Sequence, residues 1–118
     1  MVGWEDMKEK VLECIRKNET ASYAELERYF DRCGYDWQGT LEWYSEENPN
    51  VVFWSGWNEE AFTILTELQG EGKIEKAPCS TLVYLMDGRM LTLPVVRQVR
   101  QYKTLHWLPV VYRVKEGK

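Results

Sequence analysis

The stretch Trp57–Lys76 constrains the fold most, because its pattern predicts a helix followed closely by a strand. Four apolar residues recur at i, i+3, i+4 and i+7, the spacing of a helix with one buried face. They are Ala61, Ile64, Leu65 and Leu68. Asn58 is a residue type that caps helix N-termini, and Gly70 and Gly72 favour the end of a helix. Residues 73–76 then alternate like a short strand.

Two further helices are predicted upstream. The first spans Trp4–Asn18, with an apolar face formed by Trp4, Met7, Val11, Cys14 and Ile15. Ser22 and Glu25 have the spacing of a capping box, in which each side chain bonds a free backbone N–H. The second helix therefore begins at Ser22 and ends near Gly34. Its predicted inward face is Leu26, Tyr29, Phe30 and Cys33.

Residues 35–57 form an aromatic-rich insertion before the third helix. We predict a loop here, with a helical turn at 41–45 and a short strand at 51–54. Downstream, residues 81–86 and 89–93 are rich in strand-forming types and are separated by Asp87-Gly88. That dipeptide favours a type I′ turn, so the sequence predicts a β-hairpin.

The last part of the chain, residues 95–118, is a basic extension. Residues 95–103 are either a short helix or a basic connector, and residues 107–114 are a last strand. Pro109 has no N–H for a ladder, so this strand is predicted at a sheet edge. The whole chain of 118 residues is predicted to be one α+β domain.

Charge is divided unevenly along the chain. Residues 1–72 carry 6 Lys and Arg against 16 Asp and Glu, a net charge of −10, whereas residues 73–118 carry 9 against 3, a net charge of +6. A basic surface attracts polyanions and an acidic one repels them, so we expect any nucleic-acid contact in the second part. Residues 1–20 lack the apolar core of a signal peptide, and no apolar run is long enough for a membrane span, so a cytoplasmic protein without membrane contact is expected.

The order of helix, short link, helix, insertion, helix and strand hairpin resembles the winged-helix-turn-helix superfamily. The resemblance covers roughly residues 4–93 and includes the passage from Ile64 through Gly72 to Ile74, with the Asp87-Gly88 hairpin as the wing. It implies a three-helix winged-helix-like domain in which the third helix lies in the DNA major groove and the wing contacts the backbone. Here the third helix exposes glutamates, which would repel phosphates. These are Glu59, Glu60, Glu67 and Glu71.

The leading functional hypothesis is therefore a DNA-associated, transcription-regulatory domain that uses its wing and basic extension. The candidate nucleic-acid-binding residues are Arg89, Arg97, Arg100 and Lys103. If residues 95–103 are helical, Arg97, Arg100 and Lys103 align on one face. The alternative for these charges is that they pair with the acidic first half of the domain.

A second hypothesis is a protein interaction module, which binds a protein partner or a second copy of the chain. Its candidate residues are Trp37, Trp43, Trp54, Trp57, Glu60 and Glu67. Exposed tryptophans beside carboxylates suit a protein surface or a cationic group. The alternative is that these tryptophans are part of the core.

An enzyme is not predicted, and no catalytic residue, metal site or cofactor is assigned. His106 is the only histidine, and no nucleophile has a motif around it. Cys14, Cys33 and Cys79 lack the close CxxC pair that typically begins a zinc site. We expect these cysteines to be buried as small hydrophobic residues.

Overall fold

The computed structural model describes residues 3–115, apart from the side chain of Asp87. Over this range the chain is a mixed α+β structure with four helices and two small sheets. The elements, in order, are α1 (Trp4–Asn18), β1 (Thr20–Ser22), α2 (Tyr23–Arg32), β2 (Gln38–Tyr44), β3 (Val51–Trp57), α3 (Glu59–Gly70), β4 (Ile74–Pro78), α4 (Thr81–Asp87), β5 (His106–Trp107) and β6 (Val110–Val114).

Each sheet has three strands. The first has the order β1-β6-β4, and both of its pairings are antiparallel. The second has the order β2-β3-β5, in which β2 and β3 are antiparallel while β3 and β5 are parallel. Strand β6 therefore joins the segment between the first two helices to the strand that follows α3.

Helices α2 and α3 begin as their predicted capping residues indicate. The Ser22 hydroxyl accepts a hydrogen bond from the Glu25 N–H at 3.1 Å, and the Glu25 carboxylate accepts one from the Ser22 N–H at 3.1 Å. The Asn58 side-chain oxygen accepts a bond from the Ala61 N–H at 2.8 Å. These bonds satisfy amide groups that have no partner within a first helical turn. The predicted helices are confirmed, as is the strand after α3.

The predicted hairpin over residues 81–93 is wrong, because residues 81–87 form α4. Ser80 caps this helix by accepting a bond from the Leu82 N–H at 3.1 Å. Gly88 ends it with a φ of +75°. A left-handed glycine serves a helix C-terminus as well as a type I′ turn, so the Asp87-Gly88 signal fits both structures.

The insertion is a hairpin of two strands. The helical turn predicted at 41–45 is wrong, since most of this range belongs to β2, and β3 extends to Trp57 instead of ending at Trp54. Gly39 of β2 allows that strand to approach the backbone at the end of β3 closely. A Cβ at this position would lie 2.6 Å from backbone atoms of Asn58 and Trp57.

The last predicted strand is divided in two, and its placement at an edge is wrong. Pro109 separates β5 from β6, and β6 is the central strand of its sheet. Since Pro109 precedes β6, its missing N–H removes no bond from the ladder. Residues 95–103 form no helix, which leaves the predicted alternative of a connector. Residues 116–118 of the predicted extension lie outside the described residues.

An aromatic cluster dominates the core. The side chains with almost no exposure that are largest in volume are Trp54, Trp57, Trp107, Tyr23, Tyr84 and Tyr112. Tyr23 lies at the centre of this cluster, with ring centroids 5.5 to 5.7 Å from those of Trp43, Trp54, Trp57 and Tyr112. Aromatic pairs at these separations add stability beyond their buried area. The cluster therefore holds both sheets against α2.

Candidate functional site

Residues 79–109, which we call the connector, join the antiparallel neighbours β4 and β6 and contain α4 and β5. From residue 88 to residue 109 the connector has four Lys or Arg and no Asp or Glu. This part of the connector therefore has a net charge of +4, in contrast to the acidic first part of the chain. Three sets of contacts attach it to the domain.

The first attachment is Tyr84 of α4. Its hydroxyl donates to the Val110 carbonyl oxygen at 2.6 Å and accepts from the Tyr23 N–H at 3.2 Å. The Tyr23 and Tyr112 hydroxyls lie 2.9 Å apart beside it. Burial raises the pKa of both Tyr23 and Tyr112, because a phenolate is poorly solvated in the core. The bonds of Tyr84 to Val110 and Tyr23 position α4 against the core.

The second attachment is an ion pair between Arg89 and Glu27. Arg89 Nε lies 2.6 Å from Glu27 Oε1, and Glu27 is only 4% exposed. The other carboxylate oxygen accepts indole N–H bonds from Trp54 at 2.8 Å and Trp57 at 2.9 Å. The Arg89 guanidinium also lies 5.8 Å from the ring centroid of Trp37. A buried carboxylate is stable only when it is paired and hydrogen-bonded, as Glu27 is here.

The third attachment fixes residues 94–107. Val95 and Trp107 form a parallel bridge, and the His106 N–H donates to the Asn50 carbonyl oxygen at 2.7 Å. Asn48 and Asn50, in the turn of the β2–β3 hairpin, donate side-chain N–H groups to the carbonyl oxygens of Arg100 and Tyr102. The backbone that carries the basic side chains is thus held by the hairpin, although it has no regular secondary structure.

The four predicted nucleic-acid-binding residues fall into two groups. Arg97, Arg100 and Lys103 are exposed, and none of them has an acidic partner among the described residues. Arg100 Nε donates to the Gln98 side chain at 3.1 Å. Arg89 is different, because its charge is compensated by Glu27. Since residues 95–103 are not helical, the predicted alignment of the three cations on one helix face does not occur.

The tryptophans of the insertion do not form an exposed surface. Trp54 and Trp57 are fully buried and Trp37 is 8% exposed, whereas Trp43 is half-buried. A tryptophan surface that binds a partner requires exposed side chains. Trp37, Trp54 and Trp57 therefore cannot be part of such a surface in this structure. Trp37, Trp54 and Trp57 instead surround the carboxylate and guanidinium of the Glu27–Arg89 pair.

The carboxylates of α3 are exposed but are partly engaged with neighbours. Glu67 Oε1 lies 3.0 Å from Lys8 Nζ of α1, and Glu71 Oε2 lies 2.6 Å from the same atom. The Tyr35 hydroxyl donates to Glu60 at 3.3 Å. Burial and the Glu60 carboxylate together raise the pKa of Tyr35 to about 12. The face of α3 is therefore acidic and in contact with α1.

Lys76 of β4 lies in a separate cleft of about 520 Å³ between the β2–β3 hairpin and the end of α3. Its Nζ is 3.7 Å from the ring centroid of Phe53 and 5.2 Å from that of Trp43. Burial lowers the pKa of Lys76 to about 8, and the nearby Glu46 carboxylate offsets this only in part. The aromatic faces partly replace the water that the ammonium group loses.

The cysteines and His106 do not come together. Cys14 is buried and Cys33 and Cys79 are half-buried, and burial raises the pKa of Cys79 to about 11. His106 Nδ1 is 2.7 Å from the Thr104 carbonyl oxygen, and its ring is tilted by 32° to that of Tyr102, with the centroids 4.5 Å apart. Within residues 3–115 no group of three or more His, Cys, Asp and Glu side chains is arranged to hold a metal ion.

Comparisons with protein-family models, with curated proteins and with solved structures give no match to this chain. In the part of the chain that the structure describes, no helix has both the length and the apolar character needed to cross a bilayer.

Sequence reasoning missed two features of this region. Glu27 lies four residues after Tyr23 and three before Phe30, which places it on the buried face of α2. A carboxylate at such a position, in a chain with six tryptophans, is the signal that predicts a buried hydrogen-bonded acid. The other feature is the exposed apolar face of α4, which was hidden by the prediction of a hairpin.

Proposed function

We propose that this chain is a non-enzymatic domain of the winged-helix type that binds duplex DNA through its connector. The order of the three helices supports this relation, as does the sheet that joins β1, β6 and β4. The connector lies between the antiparallel strands β4 and β6, which is the place of a wing. In this proposal the connector, with its short helix, replaces the simple hairpin wing.

The observation that carries the proposal is the set of exposed cations Arg97, Arg100 and Lys103 on an anchored backbone. Lys and Arg side chains neutralise DNA phosphates and release their counterions, which is the main source of affinity in binding without sequence preference. A stretch without acidic residues adds no repulsion to that contact. Tyr102 and His106, whose ring centroids are 4.5 Å apart, lie among these cations in the sequence.

The acidic face of α3 supports a restriction on the mode of binding. A helix that reads base edges needs donors such as Arg or Lys, and α3 has neither. Glu59 and Glu60 would also face the phosphate backbone if α3 entered a groove. We infer that the domain contacts the DNA backbone through the connector and that it has little sequence preference.

Fluorescence anisotropy with a labelled duplex of random sequence tests the proposal. A variant with Arg97, Arg100 and Lys103 all replaced by Ala is expected to bind at least about tenfold more weakly at low salt. The matched control replaces three exposed cations of α1, Lys10, Arg16 and Lys17, with Ala. It is expected to keep the wild-type affinity for the duplex. Equal loss in both variants would mean that only net charge matters, and unchanged affinity in the connector variant would refute the assigned residues.

A further inference from the structure

Helix α4 exposes an apolar face opposite its buried side. Tyr84 is fully buried and attaches the helix, whereas Leu82, Leu85 and Met86 are 61%, 60% and 87% exposed. These three residues have the i, i+3, i+4 spacing that aligns side chains on one side of a helix. Single exposed apolar residues are common on proteins, but contiguous ones mark interaction sites.

A cleft lies at the start of α4, where Thr81, four residues before Leu85, is part of its lining. The cleft, of about 410 Å³, lies between the start of α4 and the 95–97 segment, and its lining includes Cys79, Thr81, Val96 and Arg97. Val95 is 47% exposed at the same cleft. We call Leu82, Leu85, Met86 and Val95, with Arg97 at the border, the α4 surface.

We propose that the α4 surface binds an amphipathic helical segment of a partner protein, with its apolar residues on α4 and an acidic flank against Arg97. This surface shares Arg97 with the proposed DNA contact and differs from it in its apolar residues, which do not depend on that contact. A helix with one apolar face is the partner that a short row of Leu and Met side chains fits, because such residues adapt to the shape of the ligand.

Charge favours an acidic partner over the other occupants. A second copy docked through the same surface would bring Arg97 close to its own equivalent, and like charges at an interface are unfavourable. A lipid surface attracts basic and apolar residues, but it does not fill a concave cleft of this kind. An acidic flank instead complements Arg97, which has no acidic partner among the residues the structure describes.

NMR with methyl-labelled methionine tests this proposal directly. The probe is a synthetic helical peptide with a leucine face and glutamate flanks, compared with the same peptide carrying lysine flanks. The glutamate peptide is expected to shift the Met86 methyl signal in a saturable way and to leave that of the buried Met7 unchanged. The lysine peptide is expected to bind at least about tenfold more weakly, because its charge opposes that of Arg97.

Two variants give the matched comparison. Replacing Leu85 and Met86 with Ser should abolish binding of the glutamate peptide, followed in this variant by the fluorescence anisotropy of a labelled peptide, and should leave DNA binding intact. This last readout separates failure of the surface from failure of the proposed function. The control Leu41→Ser removes a side chain that is 43% exposed on β2, away from this surface, and should bind the peptide like the wild type.

Four results would overturn the proposal. They are the absence of any Met86 shift, equal affinity for both peptides, concentration-dependent Met86 shifts without peptide, and Met86 broadening only with phosphatidylserine vesicles. The third would assign the surface to a second copy of the chain, and the fourth would assign it to a membrane.

Discussion

Glu27 is the residue on which the attachment of the connector most depends. Its carboxylate accepts from two indole N–H groups and pairs with Arg89, so one side chain of α2 joins the β3 strand to the connector. The two indole N–H groups and the buried carboxylate therefore all have partners. Removing the acid would leave two buried donors without acceptors, which is more costly than the loss of an average hydrogen bond.

Replacing Glu27 with Ala is expected to lower the free energy of unfolding by about 3 kcal/mol, because Trp54 and Trp57 would keep unsatisfied N–H groups in the core. Urea unfolding followed by tryptophan fluorescence measures this change. The control Glu13→Ala removes an exposed acid of α1 and should change stability by less than about 0.5 kcal/mol. Similar small effects of both substitutions would show that the Glu27 cluster contributes little.

Lys76 gives a prediction on pH dependence. Its folded pKa of about 8 lies below its ordinary value of 10.5, so above about pH 8 the unfolded chain binds more protons than the folded one. Stability rises with pH wherever the unfolded state binds more protons. The unfavourable contribution of Lys76 is therefore complete below about pH 8 and is progressively relieved as the pH approaches 10.5.

The measurement is the difference in unfolding free energy between Lys76→Met and the wild type at several pH values. The advantage of the Met variant should shrink as the pH rises above about 8, while other groups cancel in the difference. The same comparison with Lys10→Met, an exposed position on α1, should show no such trend. A constant difference across this range would contradict the assigned burial of Lys76.

At the scale of elements, the β2–β3 hairpin depends on a close backbone approach at Gly39. An added Cβ would meet backbone atoms at 2.6 Å, and backbone cannot move aside as a side chain does. Gly39→Ala should therefore destabilise the fold by about 2 kcal/mol or more. Gly70→Ala is the control, since a Cβ there meets nothing within 4 Å and Ala favours a helix by up to about 1 kcal/mol. Thermal unfolding distinguishes the two, and equal melting temperatures would refute the close approach.

The elements also show how far local sequence reasoning reaches. Helices α1, α2 and α3 were predicted because their caps and apolar stripes are local signals, as at Ser22 and Asn58. Helix α4 was not, because Asp87-Gly88 fits a hairpin as well as a helix end. The formation of a helix instead of a hairpin is consistent with the long-range bonds of Tyr84 to Val110 and Tyr23. Tertiary contacts of this kind override β propensity and are not visible in a local window.

The candidate site was predictable only in part. The basic character of residues 97–103 follows from the sequence. The structure leaves Arg97, Arg100 and Lys103 exposed, as a binding surface requires. The compensation of Arg89 by Glu27 joins residues 62 positions apart, so no spacing rule indicates it. Trp37, Trp54 and Trp57 were candidates for an exposed partner-binding surface, but they are buried because the core is built largely from aromatic side chains.

At the scale of the whole molecule, two chemically different surfaces lie on the connector. Its cations at Arg97, Arg100 and Lys103 suit a polyanion, and the exposed face of α4 suits an apolar partner segment. The acidic first half of the chain remains on α1, α2 and α3, where it disfavours DNA contact. The proposed account is therefore a domain whose connector contacts the DNA backbone through its cations and a protein partner through α4, with Arg97 common to both contacts.

The central claim is that connector cations neutralise DNA phosphates, and the salt dependence of duplex binding tests it most directly. If three phosphates are neutralised, log affinity should fall linearly with log salt with a slope of about −2.7, and the variant lacking Arg97, Arg100 and Lys103 should lose most of that slope. The α1 control variant should keep it. No binding at low salt, or the same slope in the wild type and the connector variant, would contradict the account.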